Sequence, residues 1–327
     1  MLGGLAPSEL LFEQIIYSET LCTFWIVLSL FAYALTLANE RTRIWDHALL
    51  GFSAALAGMT RPMFLFLGPL YFCLVFARVR PPRPPRLSDA RLALVLAPTL
   101  LLALGWSAVN QYTVGYFGVT TTTGYNLSNH SGAFMELAPP AYRRISDIYV
   151  RQRLIQRWRM GNHTMTIWYA ENEIKHSTGF STAQLSMVLT QMSLEMFAEH
   201  PLLYLRSVSQ SWARFWGSGL YRYLGSFKKH LTESFYDLLF AAASYQLAIN
   251  LAFLSIAAYS IASWLLGRVK FDFELDVIAI VLAGSLLQAF MEYGENVRYL
   301  APLVPLTIYT VVTFTWRASD LRGLLAA

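Results

Sequence analysis

The sequence predicts an all-α membrane protein of about seven transmembrane helices with a mixed, mainly helical extracytoplasmic insert. Three observations predict it. Hydrophobic residues make up 55% of the 327 and charged residues only 14%, against roughly a quarter charged in a soluble domain. Apolar runs approaching the ~20 residues that a helix needs to cross a bilayer recur along the chain. Arginines follow alternate runs, as expected if those turns face the cytoplasm.

The first run, Thr20 to Ala38, ends at Asn39-Glu40-Arg41-Thr42-Arg43. The next, His47 to Ala77, is broken by Arg61-Pro62. Proline lacks the N–H that a helix needs and pushes the preceding residue out of the helical region, so this stretch is either one kinked helix or a hairpin of two short ones. Arg41 and Arg43 precede it. Arg78, Arg80, Arg83, Arg86 and Arg91 follow it, in and around a proline-rich loop. With both flanks cytoplasmic, the hairpin is required, and its Thr60-Arg61-Pro62 turn faces outward.

A fourth run, Leu92 to Val109, returns the chain to the outside. A long mixed segment then extends from Gln111 to Tyr236. Further runs over Leu238–Leu266, Leu275–Phe290 and Leu300–Trp316 complete the set, with Arg268, Lys270, Arg317 and Arg322 after the fifth and seventh. The organisation is therefore 1–110 with four crossings, 111–236 as the insert, and 237–327 with three. The N-terminus and insert lie outside and the C-terminus inside. Within the insert, helical spacing of apolar residues marks Ala141 to Met160, with Ile145, Ile148, Ile155 and Trp158 on one face. A second helix starts at His200-Pro201, where proline suits a first turn.

The net charge of +5 comes from arginines that flank helices. They are not interleaved with aromatics as in a nucleic-acid module, so no nucleic-acid partner is expected. Cys22 and Cys73 lie in apolar runs as packing residues. The sequence contains no phosphate-cradling glycine loop, zinc spacing or serine elbow, and neither a metal nor a cofactor is expected.

Four places carry candidate chemistry. Glu19, at the outer mouth of the first helix, either holds a substrate or neighbouring helix or is a water-exposed interfacial carboxylate. Arg61 is either a snorkelling anchor or an anion contact whose rigid donor fork suits phosphate. Gly124 to Gly132 reads as a polar, glycine-punctuated loop. Its Tyr125, Asn126 and His130 suit hydrogen bonding to a sugar or pyrophosphate, or it is an ordinary turn-rich loop. Glu292 to Tyr299, with Pro302 and Pro305 following, places two carboxylates and an arginine at the outer end of a hairpin. Ionisable residues so close to a bilayer tend to be paired and functional. A Glu295–Arg298 pair, three positions apart, is the structural alternative.

In their order, four segments resemble the GT-C-type integral membrane glycosyltransferases, which include protein O-mannosyltransferases and the lipid A aminoarabinose transferase. The segments are Ser18-Glu19, Gly58-Met59-Thr60-Arg61-Pro62, His200-Pro201-Leu202-Leu203-Tyr204 and Glu295-Asn296-Val297-Arg298-Tyr299. The resemblance implies a bacterial inner-membrane enzyme of cell-envelope biogenesis. Such an enzyme moves a sugar from a polyprenyl-phosphate donor to a lipid, glycan or protein acceptor at the extracytoplasmic face. It also implies that Arg61 and Arg298 bind the donor phosphate, with Glu295 holding Arg298 and Tyr299 beside it, and that Glu19, Tyr125, Asn126 and His130 contact substrate.

One departure bears on activity. The family's catalytic acid sits in the first extracytoplasmic loop, and no segment here matches it. An N-terminally truncated member, lacking an odd number of upstream helices, is the resulting expectation. A flippase or transporter of a lipid-linked saccharide and an inactive membrane fragment are the alternatives.

Overall fold

The computed structural model describes residues 18–38, 43–78, 88–160, 164–217, 233–294 and 296–326. Among the described residues there is no strand, and five helices are long and apolar enough to cross a membrane: Glu19–Ala38, Ala90–Val114, Ala243–Leu265, Phe273–Met291 and Arg298–Ser319. The chain is an all-α membrane protein. It divides into two compact units: 1–102 with 216–285 and 297–327, and 103–215 with 286–296.

The first unit holds α1 (Glu19–Ala38), α2 (Ile44–Thr60), a 3-10 turn (Pro62–Phe66), α3 (Leu67–Arg78) and the start of α4 (Ser88–Val114). It also holds α10 (Glu233–Leu265), most of α11 (Phe273–Met291) and α13 (Val304–Ala326). The apolar stretch around Arg61-Pro62 is a hairpin rather than a kinked helix. Arg61 is extended (φ −141°, ψ 109°), as a residue before proline should be. Past it the chain doubles back so closely that a Cβ on Gly58 would stand 3.0 Å from the Leu65 Cα. The hairpin helices are shorter than the five long ones: α2 has 17 residues and the apolar return helix runs Pro62–Arg78. Gly51 of α2 packs directly on the α4 backbone at Leu94 and Val95, the close approach small residues allow between membrane helices. The proline-rich loop lies outside the described residues.

The second unit is built from α5 (Thr123–Ser131), α6 (Arg143–Met160), α7 (Thr166–Thr178), α8 (Thr182–Glu199) and α9 (Pro201–Phe215). The helices expected near Ala141 and His200 are present, as α6 and α9. The polar loop expected at Gly124–Gly132 is instead the helix α5, and it is largely buried. The reason is packing. Gly124 leaves room for the α8 backbone at Ser186, its N–H donates to Ser186 Oγ at 3.1 Å, and Ser131 meets Ser193 at 3.0 Å. Tyr125, Met135, Tyr149, Ile167, Leu189 and Met196 sit in the same apolar core. Ser181 starts α8 with a capping box to Gln184, and Gly179, at φ 75°, terminates α7. Ile145 and Ile148 of α6 are buried, but Trp158, expected on the same face, is 86% exposed.

Candidate functional site

Glu19 is the first residue of α1, where the helix dipole favours a carboxylate. Arg61 follows the last residue of α2. Arg298 lies in α12 (Asn296–Leu300), the single turn leading through Ala301–Leu303 into α13. Three helix ends thus bring three charges together. Arg61 Nη1 donates to Glu19 Oε1 at 3.0 Å, and Arg298 Nε donates to the same oxygen. Arg61 Nη1 also reaches the Arg298 carbonyl at 3.4 Å, and its guanidinium lies 4.5 Å from the centre of the Tyr299 ring.

This arrangement decides two open alternatives. Glu19 is only 1% exposed, so it is not a water-facing carboxylate; it holds neighbouring helix ends. Arg61 is also buried, so it is not snorkelling. Two guanidiniums thus share one carboxylate oxygen. Glu19 Oε2 is buried and has no hydrogen-bond partner among the described residues. A guanidinium carries five N–H donors in a planar fork, which suits a phosphate oxygen pair. Glu295 lies outside the described residues; Arg298 pairs with Glu19.

A second buried cluster, which sequence reasoning passed over, lies further along α1. Tyr33 Oη donates to Asp276 Oδ2 at 2.9 Å, and Arg78 donates to that oxygen as well. Tyr33 follows Glu19 by fourteen positions, about 21 Å of helix, so the clusters stand toward opposite ends of α1. Nearby in sequence, Arg317 pairs with Glu274 at 3.0 Å. The signal for this cluster was present: Asp276 is a lone acid one residue inside an apolar run, and such residues usually find partners.

The three α5 candidates do not form one site. Tyr125 Oη donates to Glu171 at 3.0 Å and its ring stacks on Trp168 at 4.9 Å; burial, with Glu171, pushes its hydroxyl pKa up. Asn126 is half-buried. His130 shares a 2.8 Å hydrogen bond between Nδ1 and Ser207 Oγ and packs against Tyr204 and Tyr293. Five positions along a helix turn the side chain through about 140°, so Tyr125 and His130 face different neighbours. Burial pushes the His130 imidazole down to about 4, against the weaker opposite pull of the Glu292 and Ala289 carbonyls.

Elsewhere in this unit, burial alone would raise the Glu136 carboxyl. The hydrogen bond and charge of Arg153, together with a backbone hydrogen bond, outweigh that and hold it below the usual range. Asn296, an unexpected participant, donates from Nδ2 to Ser211 Oγ at 2.6 Å and to the Glu292 carbonyl at 3.2 Å, tying α9 to the segment that leaves α11. No group of three or more His, Cys, Asp or Glu suited to a metal ion is present among the described residues. Comparison with protein-family models, with curated proteins and with solved structures finds no match for this chain.

Proposed function

We propose that the chain binds a polyprenyl-phosphate-linked sugar at the extracytoplasmic side of a bacterial inner membrane, as part of a GT-C-type glycosyl transfer. The single observation that carries the proposal is the pair of guanidiniums, Arg61 buried and Arg298 partly so, that converge on one Glu19 oxygen where helix ends meet. Buried charge is kept only at a cost, and two guanidiniums gathered where apolar helices begin or end suit an anion delivered by a lipid. Phosphate supplies that anion, and the polyprenyl tail takes the bilayer.

In the transfer, an acceptor oxygen or nitrogen forms a bond to the anomeric carbon as the bond from that carbon to the donor phosphate oxygen breaks. The electron pair leaves with the phosphate, and the anomeric centre inverts. Arg61 and Arg298 hold the growing charge on the leaving phosphate. Glu19 positions both guanidiniums. The acceptor's proton passes to a base. The proposal assigns that base to none of the described residues and commits this chain to donor binding and leaving-group stabilisation.

The arginine pattern supports seven crossings, counting the hairpin helices α2 and Pro62–Arg78, and an extracytoplasmic insert. A flippase of the same lipid needs polar groups at the membrane midplane and two alternating states. The charges described here gather instead toward the helix ends, which favours interfacial chemistry.

The test is binding of polyprenyl phosphate to the purified chain in detergent. Wild type should bind, and R61Q/R298Q should bind at least tenfold more weakly while keeping its helical circular dichroism. Equal affinity in both would remove the cluster from donor recognition and reduce it to a clamp between helices.

A further inference from the structure

The second unit contains a cavity of about 660 Å³, open to the surface and within the range that holds small ligands. Its lining includes Arg157 of α6 and Arg206, Gln210 and Arg214 of α9, together with Phe134 and Tyr293, and no carboxylate among the described residues. The three α9 residues are spaced four apart, so they form one row along the helix. The Arg214 guanidinium lies 4.6 Å from the centre of the Tyr293 ring, and the Tyr293 hydroxyl donates to Gln210 at 3.2 Å. Three like charges around one concavity repel one another, and a solvated basic face would spread them. Their convergence from two helices on an aromatic floor is the geometry of an anion receptor.

Neighbouring positions on the two lining helices indicate where the anion comes from. On α6, Leu154 and Trp158 flank Arg157 and are 59% and 86% exposed. On α9, Leu202 and Leu205 are 79% and 49% exposed. Large apolar side chains left in the open beside guanidiniums mark a helix pair that lies against a bilayer surface. There the apolar residues enter the acyl boundary and the cations meet headgroups.

We infer that this arginine cavity is a binding site for a phosphate-ester anion, taken from the headgroup of a membrane amphiphile. Arg157, Arg206 and Arg214 bind the phosphate oxygens, and Trp158, Leu154, Leu202 and Leu205 hold the apolar part. The site uses none of Glu19, Arg61 or Arg298 and does not rest on the proposed transfer chemistry.

The test uses the full chain in a zwitterionic detergent, titrated calorimetrically with pyrophosphate, dihexanoyl phosphatidic acid and dihexanoyl phosphatidylcholine. The variant R157Q/R206Q/R214Q should bind pyrophosphate and the phosphatidic acid at least tenfold more weakly than wild type. R61Q/R298Q should keep that binding, which separates this site from the donor cluster. R143Q/R144Q/R159Q removes the same charge elsewhere on α6 and should change affinity less than threefold.

Binding of phosphatidic acid over phosphatidylcholine supports the lipid source. Binding of pyrophosphate alone, still lost in R157Q/R206Q/R214Q, supports the phosphate site but overturns the lipid source. Equal binding by wild type and R157Q/R206Q/R214Q, or equal loss in R143Q/R144Q/R159Q, overturns the site.

Discussion

Glu19 and Arg298 stand 279 positions apart in the chain, yet Glu19 Oε1 accepts a hydrogen bond from Arg298 Nε. The same oxygen accepts from Arg61, so the start of α1, the end of α2 and the turn before α13 meet at one carboxylate. Removing the carboxylate takes the shared acceptor from both arginines, Arg61 buried and Arg298 partly so, whereas removing Arg298 leaves the Arg61–Glu19 pair. Breaking a buried ion pair costs roughly 3–5 kcal/mol. Glu19→Gln should therefore destabilise by about 3 kcal/mol or more, and Arg298→Gln by clearly less. Thermal unfolding in matched detergent measures both. Equal losses would mean that the carboxylate is not shared in solution.

The tight contact between α5 and α8 gives a second expectation. A Cβ at Gly124 would collide with the Ser186 backbone, which cannot move aside as a side-chain tip can. Overpacking of this kind costs about 1–3 kcal/mol. Gly124→Ala should speed amide exchange across α5 and α8. An unchanged exchange pattern would show that the two helices can part freely.

His130 supplies a pH dependence. Its imidazole is pushed by burial from 6.5 to about 4, so between those values the unfolded chain binds more protons than the folded one. Stability then falls as pH drops through that window. Integrating the two titrations from pH 7 to pH 5 gives a loss of roughly 2 kcal/mol. Unfolding of the wild type at the two pH values should show it, and His130→Gln should flatten the difference. A pH slope unchanged in the variant would assign the effect to another group.

The orientation is tested by truncated fusions. An alkaline phosphatase reporter joined after Phe180, between α7 and α8, should be active, because the arginine rule puts the insert outside. An inactive enzyme with a cytosolic reporter active at the same junction would place the insert in the cytoplasm. The donor proposal would fall with it, since the resemblance requires a shared outer face.

How much of this was legible in the sequence follows from the kind of force involved. The long apolar helices were legible, because a 20-residue run needs no partner to declare itself. The Arg61-Pro62 reversal was legible from backbone sterics alone. Helix α5 was not. Its Thr-Gly-Tyr-Asn-Leu-Ser-Asn-His-Ser sequence is made mostly of poor helix formers, and the small residues that weaken the helix are those that let α8 lie against it. Helices α7 and α8 were missed within the same polar insert.

At the candidate site, Glu19, Arg61 and Arg298 were singled out from position and charge, and the resemblance grouped Arg61, Arg298 and Tyr299 on one phosphate, but that Glu19 joins the two arginines was not foreseen. The local partner expected for Arg298, Glu295, lies outside the described residues; its bond to Glu19 is long-range, and local spacing does not reveal such a bond. The Asp276–Arg78–Tyr33 contact was hidden for the same reason. Tyr125, Asn126 and His130 were grouped because they are adjacent in sequence, and the helical turn between them separates them.

The most direct measurement is a nitrogen–phosphorus dipolar distance by solid-state magnetic resonance. The protein would carry 15N in its arginine side chains, and the lipid would be polyprenyl phosphate. With phosphate on Arg61 and Arg298, guanidinium nitrogen signals should dephase as for a separation of about 3–4 Å, allowing for a hydrogen-bonded oxygen between nitrogen and phosphorus. Both samples would carry R157Q/R206Q/R214Q, so that phosphate at the arginine cavity does not contribute, and adding R61Q/R298Q should remove the dephasing. Dephasing that persists after that addition, or is absent before it at saturating lipid, would contradict a phosphate site at the Glu19 cluster.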